Sequence, residues 1–225
     1  MTTLDATTKL ADQDENSEPV VSDILAVATR EFAQYGLAGA RIERIQQQTR
    51  TSKRMIYYHF GSKDGLYRAV LEHAFEMARQ VDEGFYPQSG TPQQALQQMA
   101  SNAFEAFVRH PEFVRLLAFE NLAGAPFIRE SERVSRFNRR ALADMQVVLE
   151  RGQRDGSIRL NVKPIDVYIN MVGLCFYHVA HHAGYLAAGF EPEDNHRIQS
   201  YEFHQQRKRA IDNSCWRYVK MDQGF

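Results

Sequence analysis

The residues best suited to binding chemistry form one short run of basic, hydroxyl and aromatic side chains: Ser52, Lys53, Arg54, Tyr57, Tyr58, His59 and Lys63. Lysine and arginine donate hydrogen bonds to guanine N7 and O6 in the major groove of DNA, and also to phosphate. Hydroxyl, phenol and imidazole groups bind phosphate without reading base sequence. The pattern therefore predicts a nucleic-acid contact. The alternative is a solvated amphipathic helix whose tyrosines help to pack it.

The elements that must position these residues are two short helices, predicted over 41–48 and 52–59 and joined by a short turn. A helix-turn-helix needs this arrangement, because its second helix enters the major groove while the first holds it in place. The start of that second helix also offers free N–H groups and a partial positive charge to phosphate. We expect Ile56 and Phe60 to face inward.

Helices are also predicted on either side of this pair. Apolar residues at spacings of three and four predict a first helix capped by Ser22 and stopped by Gly36. Lys63 to about Val81 forms a fourth helix with Ser62 as its cap.

Residues 22–71, SDILAVATREFAQYGLAGARIERIQQQTRTSKRMIYYHFGSKDGLYRAVL, resemble the DNA-binding head of the TetR family of transcriptional regulators. The strongest part of the resemblance is IYYHFGSKDGLYRAVL, and the whole motif covers about a quarter of the chain. The resemblance implies that Tyr57 approaches bases and that Tyr58, His59 and Lys63 meet phosphates. Ser52, Lys53 and Arg54 lie at the start of the recognition helix, where side chains usually reach base edges.

Three positions depart from the family pattern. Ala40 stands where the family usually has a phosphate-binding Thr, and we expect Arg41 and Arg44 to supply that anchoring. Gln46 replaces a small Ala, and Arg50 replaces a Gly in the turn. If the turn keeps a positive φ at Arg50, the strain is about 1 kcal/mol. The recognition helix then takes an unusual angle, or Arg50 itself touches DNA.

The rest of the chain is predicted to be helical, which makes the fold all-α with about nine helices, three of them forming the helix-turn-helix domain. The further helices are placed at 93–108, 111–122, 127–152, 164–186 and 194–219. We divide the chain into a disordered acidic tail over 1–18, a DNA-binding domain over 19–73, and an effector-binding and dimerisation domain over 74–225.

The helix at 164–186 has two neighbouring uncharged seams. One contains Ile165, Ile169, Val172 and Phe176, and the other contains Tyr168, Met171, Cys175, His178 and His182. So wide a face must be covered on two sides, by the protein's own core and by a partner. The last helix carries a similar stripe, and TetR-like proteins dimerise through their last two long helices. We therefore predict a homodimer through 164–186 and 194–219; the alternative is a monomer with a thick core.

A small-molecule effector site among the body helices is implied mainly by the resemblance. The candidate apolar walls and orienting polar groups are Phe104, Phe107, Phe119, Phe137, Asn138, Asn170, Phe176, Tyr177 and His178. Ordinary core packing is the alternative for each of these residues.

Catalytic and metal chemistry find little support in the sequence. His178 and His182 have the i, i+4 spacing of zinc ligands, but no HExxH motif or suitably spaced acid or cysteine completes a set. No Gly-rich phosphate loop, G-x-S-x-G elbow or CxxC pair occurs. We expect no metal, no cofactor and no enzymatic activity.

Charge and composition limit the remaining possibilities. The formal net charge is −1, but residues 19–73 carry eight Lys or Arg against five acids, so a polyanion should bind there. With two cysteines and neither a signal peptide nor an apolar run of membrane-spanning length, we expect a cytoplasmic protein without a membrane partner.

Taken together, these features predict a ligand-responsive regulator, a repressor released from a palindromic double-stranded operator by a small-molecule effector. The alternative is a small-molecule-binding or scaffold protein of the same fold that has lost specific DNA binding, which Ala40 and Arg50 make conceivable.

Overall fold

The computed structural model describes residues 17–79, 87–188, 196, 198 and 200–221. Over these residues the chain is helical, with one isolated antiparallel bridge between Ile158 and Lys220 and no strand. The all-α prediction is confirmed. None of the described helices is both long and apolar enough to span a membrane.

Eleven helices are described, in place of about nine. Their bounds are α1 Ser17–Gly39, α2 Ile42–Gln48, α3 Lys53–Phe60, α4 Lys63–Arg79, α5 Pro92–Arg109, α6 Pro111–Leu122, α7 Pro126–Glu130, α8 Glu132–Asp155, α9 Pro164–Ala180, α10 His182–Ala187 and α11 Tyr201–Val219. The two additional helices arise because the predicted segments 127–152 and 164–186 are interrupted, at Ser131 and at His181.

The first helix begins earlier than predicted, at Ser17 rather than after Ser22. Most of the predicted acidic tail lies outside the described residues, and Ser17 and Glu18 open α1. Gly36 has φ 63° inside α1, so the regular helix ends there as expected and a short turn runs on to Gly39. A Cβ atom at Gly36 would lie 3.1 Å from the Phe119 ring, so both the backbone angle and the close approach favour glycine.

The chain divides into two compact units. The first comprises the chain up to Ala74 together with Arg115–Ser131, and the second comprises Phe75–Val114 and Glu132–Phe225. Residues 115–131 were expected in the effector-binding and dimerisation domain over 74–225.

Residues 115–131 meet the rest of the first unit at Tyr67, which lies beside the buried carboxylate of Glu120 and the Phe127 ring. The Glu120 carboxylate accepts hydrogen bonds from the backbone N–H groups of Phe127 and Ile128 at 3.2 and 3.1 Å, and so caps α7. Burial and the neighbouring Glu120 raise the pKa of Tyr67 well above its usual range. The Tyr67 ring packs edge-to-face on Phe32 and on Phe127, with centroids 5.0 and 5.1 Å apart.

The second unit has its own apolar core, formed by α5, α8, α9 and α11. A capping box at Thr91 and Gln94 starts α5. Fully buried side chains of this core include Leu96, Met145, Val148, Val167, Cys175 and Ile211. The predicted start of the last helix lies largely outside the described residues, and α11 begins at Tyr201 with Ser200 accepting a hydrogen bond from the Phe203 N–H.

The two seams of the predicted helix 164–186 differ in burial. Met171, Cys175 and His178 are buried in the second unit, whereas Ile165 and Ile169 are exposed. The centre of the second seam therefore belongs to the core, whereas Ile165 and Ile169 of the first lie on the surface of the chain and Val172 and Phe176 are half-buried.

Candidate functional site

The candidate recognition helix, α3, is fixed at both ends and at its centre. The Ser52 hydroxyl caps it by accepting a hydrogen bond from the Met55 N–H at 3.2 Å. Gly61, with φ 73°, ends it. Ile56 is only 1% exposed and anchors α3 in the core of the first unit, as expected, while Phe60 is half-buried. One apolar anchor thus leaves the rest of the helix available.

The exposed surface of α3 carries basic and aromatic side chains. Lys53, Arg54, Tyr57 and Tyr58 all lie on the surface, and Tyr58 is 77% exposed. His59 is half-buried, and its Nε2 atom is buried without a hydrogen-bond partner among the described residues. A cationic and aromatic face of this kind suits phosphate and base-edge contacts.

Lys53 makes an ion pair within this surface. Its Nζ lies 2.5 Å from Glu43 Oε1 of α2 and 6.0 Å from the centroid of the Tyr57 ring. The hydrogen bond between them raises the pKa of Lys53 and lowers the pKa of Glu43. Both groups are therefore charged at neutral pH.

Arg41 and Arg44, the expected substitutes for the missing Thr, are used differently. The Arg41 side chain is exposed and its backbone N–H donates to Glu31 Oε1 at 2.8 Å. The Arg44 guanidinium donates to the same carboxylate and to the Gly39 carbonyl, and lies 4.3 Å from the centroid of the Tyr35 ring. Arg44 thus ties α2 to α1, because its Nε and one terminal nitrogen donate to groups of α1.

The turn between α2 and α3 is braced by polar groups. Gln46 donates its side-chain amide to the Thr51 carbonyl at 3.3 Å, and the Arg50 N–H donates to Asp23 Oδ2 at 3.2 Å. Arg50 does not have a positive φ; among the described non-glycine residues only Ala125 does. The strain considered for Arg50 is therefore absent, and Gln46, the second departure from the family pattern, holds the turn.

Lys63 opens α4 beside the end of α1, with its Nζ 3.5 Å from the Ala38 carbonyl oxygen. The predicted cap is present, since the Ser62 hydroxyl accepts a hydrogen bond from the Gly65 N–H at 2.9 Å. A Cβ at Gly65 would come within 2.0 Å of the Phe60 carbonyl oxygen, so glycine permits α3 and α4 to meet closely.

The candidate ligand residues do not share one environment. Phe104, Phe107 and His178 are buried, Phe137, Asn138 and Phe176 are half-buried, Asn170 and Tyr177 are exposed, and Phe119 belongs to the first unit. The structure brings Phe104 and His178 together as stacked rings with centroids 5.2 Å apart. Tyr168 and Asn138 approach at 3.5 Å.

Around His178 lies a cluster that the sequence analysis identified only in part. The His204 ring of α11 is 5.2 Å from His178 and 5.9 Å from His182. Burial first, and then the neighbouring His204, Arg207 and His182, lower the pKa of His178 to about 4. In the part of the chain that the structure describes, no group of three His, Cys, Asp or Glu side chains could hold a metal ion.

The site also contains three acidic residues that were not predicted from the sequence: Glu31, Glu43 and Asp23. A signal for Glu31 was present, because it falls on the Ile24, Val27, Ala28 face of α1, and a carboxylate on an apolar face needs a partner. Glu43 and Asp23 carry no such signal, since each is an ordinary surface acid in sequence.

Comparison with known proteins agrees with this geometry. Residues 24–70 match the family of bacterial regulatory proteins described as the tetR family, and residues 92–196 match the tetracyclin repressor-like C-terminal domain. The HTH-type transcriptional repressor NicS of Pseudomonas putida is 33% identical over 156 residues, which are 69% of this chain and 74% of NicS. The HTH-type transcriptional repressor SCO4008 of Streptomyces coelicolor is 30% identical over 160 residues, 70% of this chain and 77% of that protein.

Solved structures share the fold. The transcriptional regulator SCO4942 of Streptomyces coelicolor superposes with a TM-score of 0.65 at 25% identity, over 89% of this chain and 98% of its own. A TetR family transcription regulator from Marinobacter aquaeolei gives a TM-score of 0.69 at 16% identity, over 93% and 100% of the two chains. Regulators of this family bind DNA operators and small-molecule effectors, typically as dimers. The chain is a helix-turn-helix transcriptional regulator and belongs to the TetR family.

Proposed function

We propose that the protein is a repressor that binds a palindromic operator as a homodimer and is released from it by a small-molecule effector. The main observation behind this proposal is the exposed cationic and aromatic surface of α3. The helix is anchored in the core of the first unit by one buried residue, Ile56. The repressor names of two relatives that align over two thirds of their length support the direction of regulation. No enzymatic activity is proposed, and the protein would act in the cytoplasm on double-stranded DNA.

In this proposal the residues of the first unit divide into two roles. Lys53, Arg54 and Tyr57 face base edges. Ser52, Tyr58, His59, Lys63 and Arg41 contact phosphates and fix the register of the protein on the duplex. Arg44 is assigned to positioning α2, because its guanidinium is bound to Glu31 and Gly39.

The proposed dimer uses the helices of segments 164–186 and 194–219. Its support is the exposed apolar surface on these helices: Ile169 is 60% exposed, and Ile165, Tyr177, Tyr201 and Tyr218 are also accessible. Leaving such a surface in water is unfavourable, and a second copy would cover it. A two-fold dimer also matches a palindrome, since each half-site takes one recognition helix.

The proposed effector binds in the second unit, near the stacked Phe104 and His178 rings. Phe107, Phe137, Asn138, Phe176, Asn170 and Tyr177 remain the proposed further contacts. Helices α4 and α6 each contain residues of both units, which makes them the proposed carriers of the signal. An effector needs to favour the non-binding state by only a few kcal/mol to release the operator.

Selection of duplexes from a random-sequence library by the purified protein tests this proposal. We expect an enriched palindrome whose half-sites are about one helical turn apart, bound by protein dimers. Recovery of no enriched sequence would instead favour a scaffold or small-molecule-binding protein that has lost specific DNA binding. The absence of backbone strain at Arg50 removes one of the reasons for that alternative.

A further inference from the structure

One acidic side chain stands on the surface that the proposed function places against DNA. Glu43 lies in the first turn of α2, and its side chain is 60% exposed. An exposed carboxylate beside a polyanion lowers affinity for every duplex, because each phosphate repels it. Its presence there calls for a role that offsets this cost.

The partner of Glu43 is Lys53, the first residue of α3. Glu43 Oε1 and Lys53 Nζ are 2.5 Å apart, and the ammonium group lies on the Tyr57 side of the helix, 6.0 Å from the ring centroid. Lysine has four rotatable side-chain bonds and sweeps a wide volume when free. The ion pair holds the ammonium group in the space between α2 and α3.

This restriction affects non-specific and sequence-specific DNA binding to different extents. Non-specific binding depends on free cations that replace counterions along the backbone, and a cation paired with a carboxylate contributes little to it. A base-edge contact depends on direction, so a lysine held in one orientation loses less conformational freedom on forming it. A carboxylate at this position can therefore weaken non-specific binding more than specific binding.

We infer that Glu43 is a specificity-determining residue, which withholds the Lys53 ammonium from phosphates and orients it along the recognition helix. The inference rests on the proposed function, because it requires that α3 reads DNA. Glu43 acts through Lys53, so it is a positioning residue in that proposal.

The test replaces Glu43 by glutamine in the full chain. Binding is measured as a function of salt on two duplexes: the sequence that the wild-type protein selects from a random library, and a scrambled duplex of the same composition. For Glu43→Gln we expect tighter binding to the scrambled duplex, a salt slope steeper by about 0.9 because one more cation meets phosphate, and a specific-to-scrambled affinity ratio that falls about threefold, the scale that an exposed ion pair can set.

A matched control removes one negative charge from another part of the first unit. Glu130 is also an exposed acid of the first unit, paired with Arg68 at 2.8 Å, and it lies on α7, which carries none of the proposed DNA contacts. Glu130→Gln should leave the affinity ratio and the salt slope unchanged. Because both acids are on the surface, neither variant should change the thermal unfolding temperature appreciably.

The Lys53→Gln background separates orientation from simple repulsion. There, the added Glu43→Gln change should tighten binding to both duplexes by the same factor and leave their ratio unchanged. The inference is overturned if Glu43→Gln alone also leaves the ratio unchanged, or if the ratio falls equally with and without Lys53. If the wild-type protein selects no duplex at all, it is the proposed function that fails.

Discussion

Lys63 and Lys53 are both basic residues of the proposed DNA surface, but their surroundings predict different roles. Lys63 lies at the start of α4 beside the Ala38 carbonyl, and it is not a residue of the recognition helix α3. Lys63→Ala should therefore weaken binding to all duplexes alike and make the salt slope shallower by about 0.9. Lys53→Ala should in addition relax the base preference at one position of each half-site.

Affinities of the two variants for the selected duplex and for single-base changes in it check this prediction. Equal losses on every sequence from both variants would contradict the assignment of Lys53 to base edges. Arg140→Ala, which removes an exposed cation of α8 in the second unit, outside the proposed dimer interface, serves as a control and should leave binding unchanged.

His178 makes the stability of the protein depend on pH. Its pKa is lowered from 6.5 to about 4 in the folded state, chiefly by burial. Below pH 6.5 the unfolded chain binds a proton that the folded chain refuses, so the free energy of unfolding falls as pH decreases from 6.5 to 4, by at most about 3 kcal/mol. Below pH 4 both states are protonated and the loss is complete.

Chemical unfolding of the wild-type protein and of His178→Phe at several pH values between 4 and 7.5 measures this effect. The variant should lose markedly less stability over that range, because phenylalanine does not titrate. His182, whose pKa burial and His204 also lower, accounts for a residual loss. An identical pH profile for the two proteins would show that His178 is protonated normally in the folded state.

For individual residues, the sequence predicted well which side chains are buried or exposed, but it did not predict which residues they contact. Ile56 and the exposed Lys53 follow from helical spacing alone. The Glu31–Arg44 contact joins residues thirteen positions apart on different helices, and no local pattern encodes it. Arg44 was expected to anchor phosphate, and its contacts with Glu31 and Gly39 could not be predicted from the sequence.

Among the elements, the turn between α2 and α3 gives the sharpest prediction. A positive φ at Arg50 would make Arg50→Gly stabilising, because glycine adopts that angle without strain. The φ of Arg50 is not positive, so glycine should instead lower the free energy of unfolding by about 0.5–1 kcal/mol through the greater entropy of the unfolded chain.

Denaturant unfolding of Arg50→Gly shows whether the substitution raises or lowers the free energy of unfolding. Gln46→Ala is a useful companion, since it removes the side-chain hydrogen bond to the Thr51 carbonyl and should also destabilise the protein, by about 1 kcal/mol. A more stable Arg50→Gly protein would mean that the turn is strained after all.

Helix positions could be predicted where an apolar stripe or a strong cap marks them, as at Ser62 and in α8. The interruptions at Ser131 and His181 could not. Neither residue is proline or glycine, and the residues around His181 are compatible with a continuing helix, so no strong helix breaker marks either interruption in the sequence.

At the scale of the whole molecule, self-association is the property most open to test. Ile169 is an exposed apolar side chain of α9 in the proposed interface. Ile169→Glu should shift the protein toward the monomer and weaken operator binding, because a buried unpaired charge is costly and two heads bind a palindrome together. Sedimentation velocity and operator binding measure the two effects.

A matched charge outside the proposed interface provides the control. Ala143 is an exposed residue of α8 in the same unit, so Ala143→Glu should leave both measurements unchanged. A dimer that survives Ile169→Glu intact would place the interface elsewhere.

The family and the helical architecture could be read from the sequence because one ordered motif and a helical period run through it. The effector site could not, since its candidates were selected by residue type. The structure separates them, with Phe104 and His178 stacked in the core and Asn170 and Tyr177 on the surface. His204 and Arg207 join His178 from a different helix, and only the folded chain brings them there.

The most direct test of the central claim is the affinity of the purified protein for duplex DNA as the salt concentration is raised. A regulator whose cationic helix-turn-helix meets the phosphate backbone should bind its selected duplex tightly in dilute buffer, with the logarithm of the binding constant falling linearly against the logarithm of salt concentration. The account would be contradicted if the protein did not bind duplex DNA even at the lowest salt concentration.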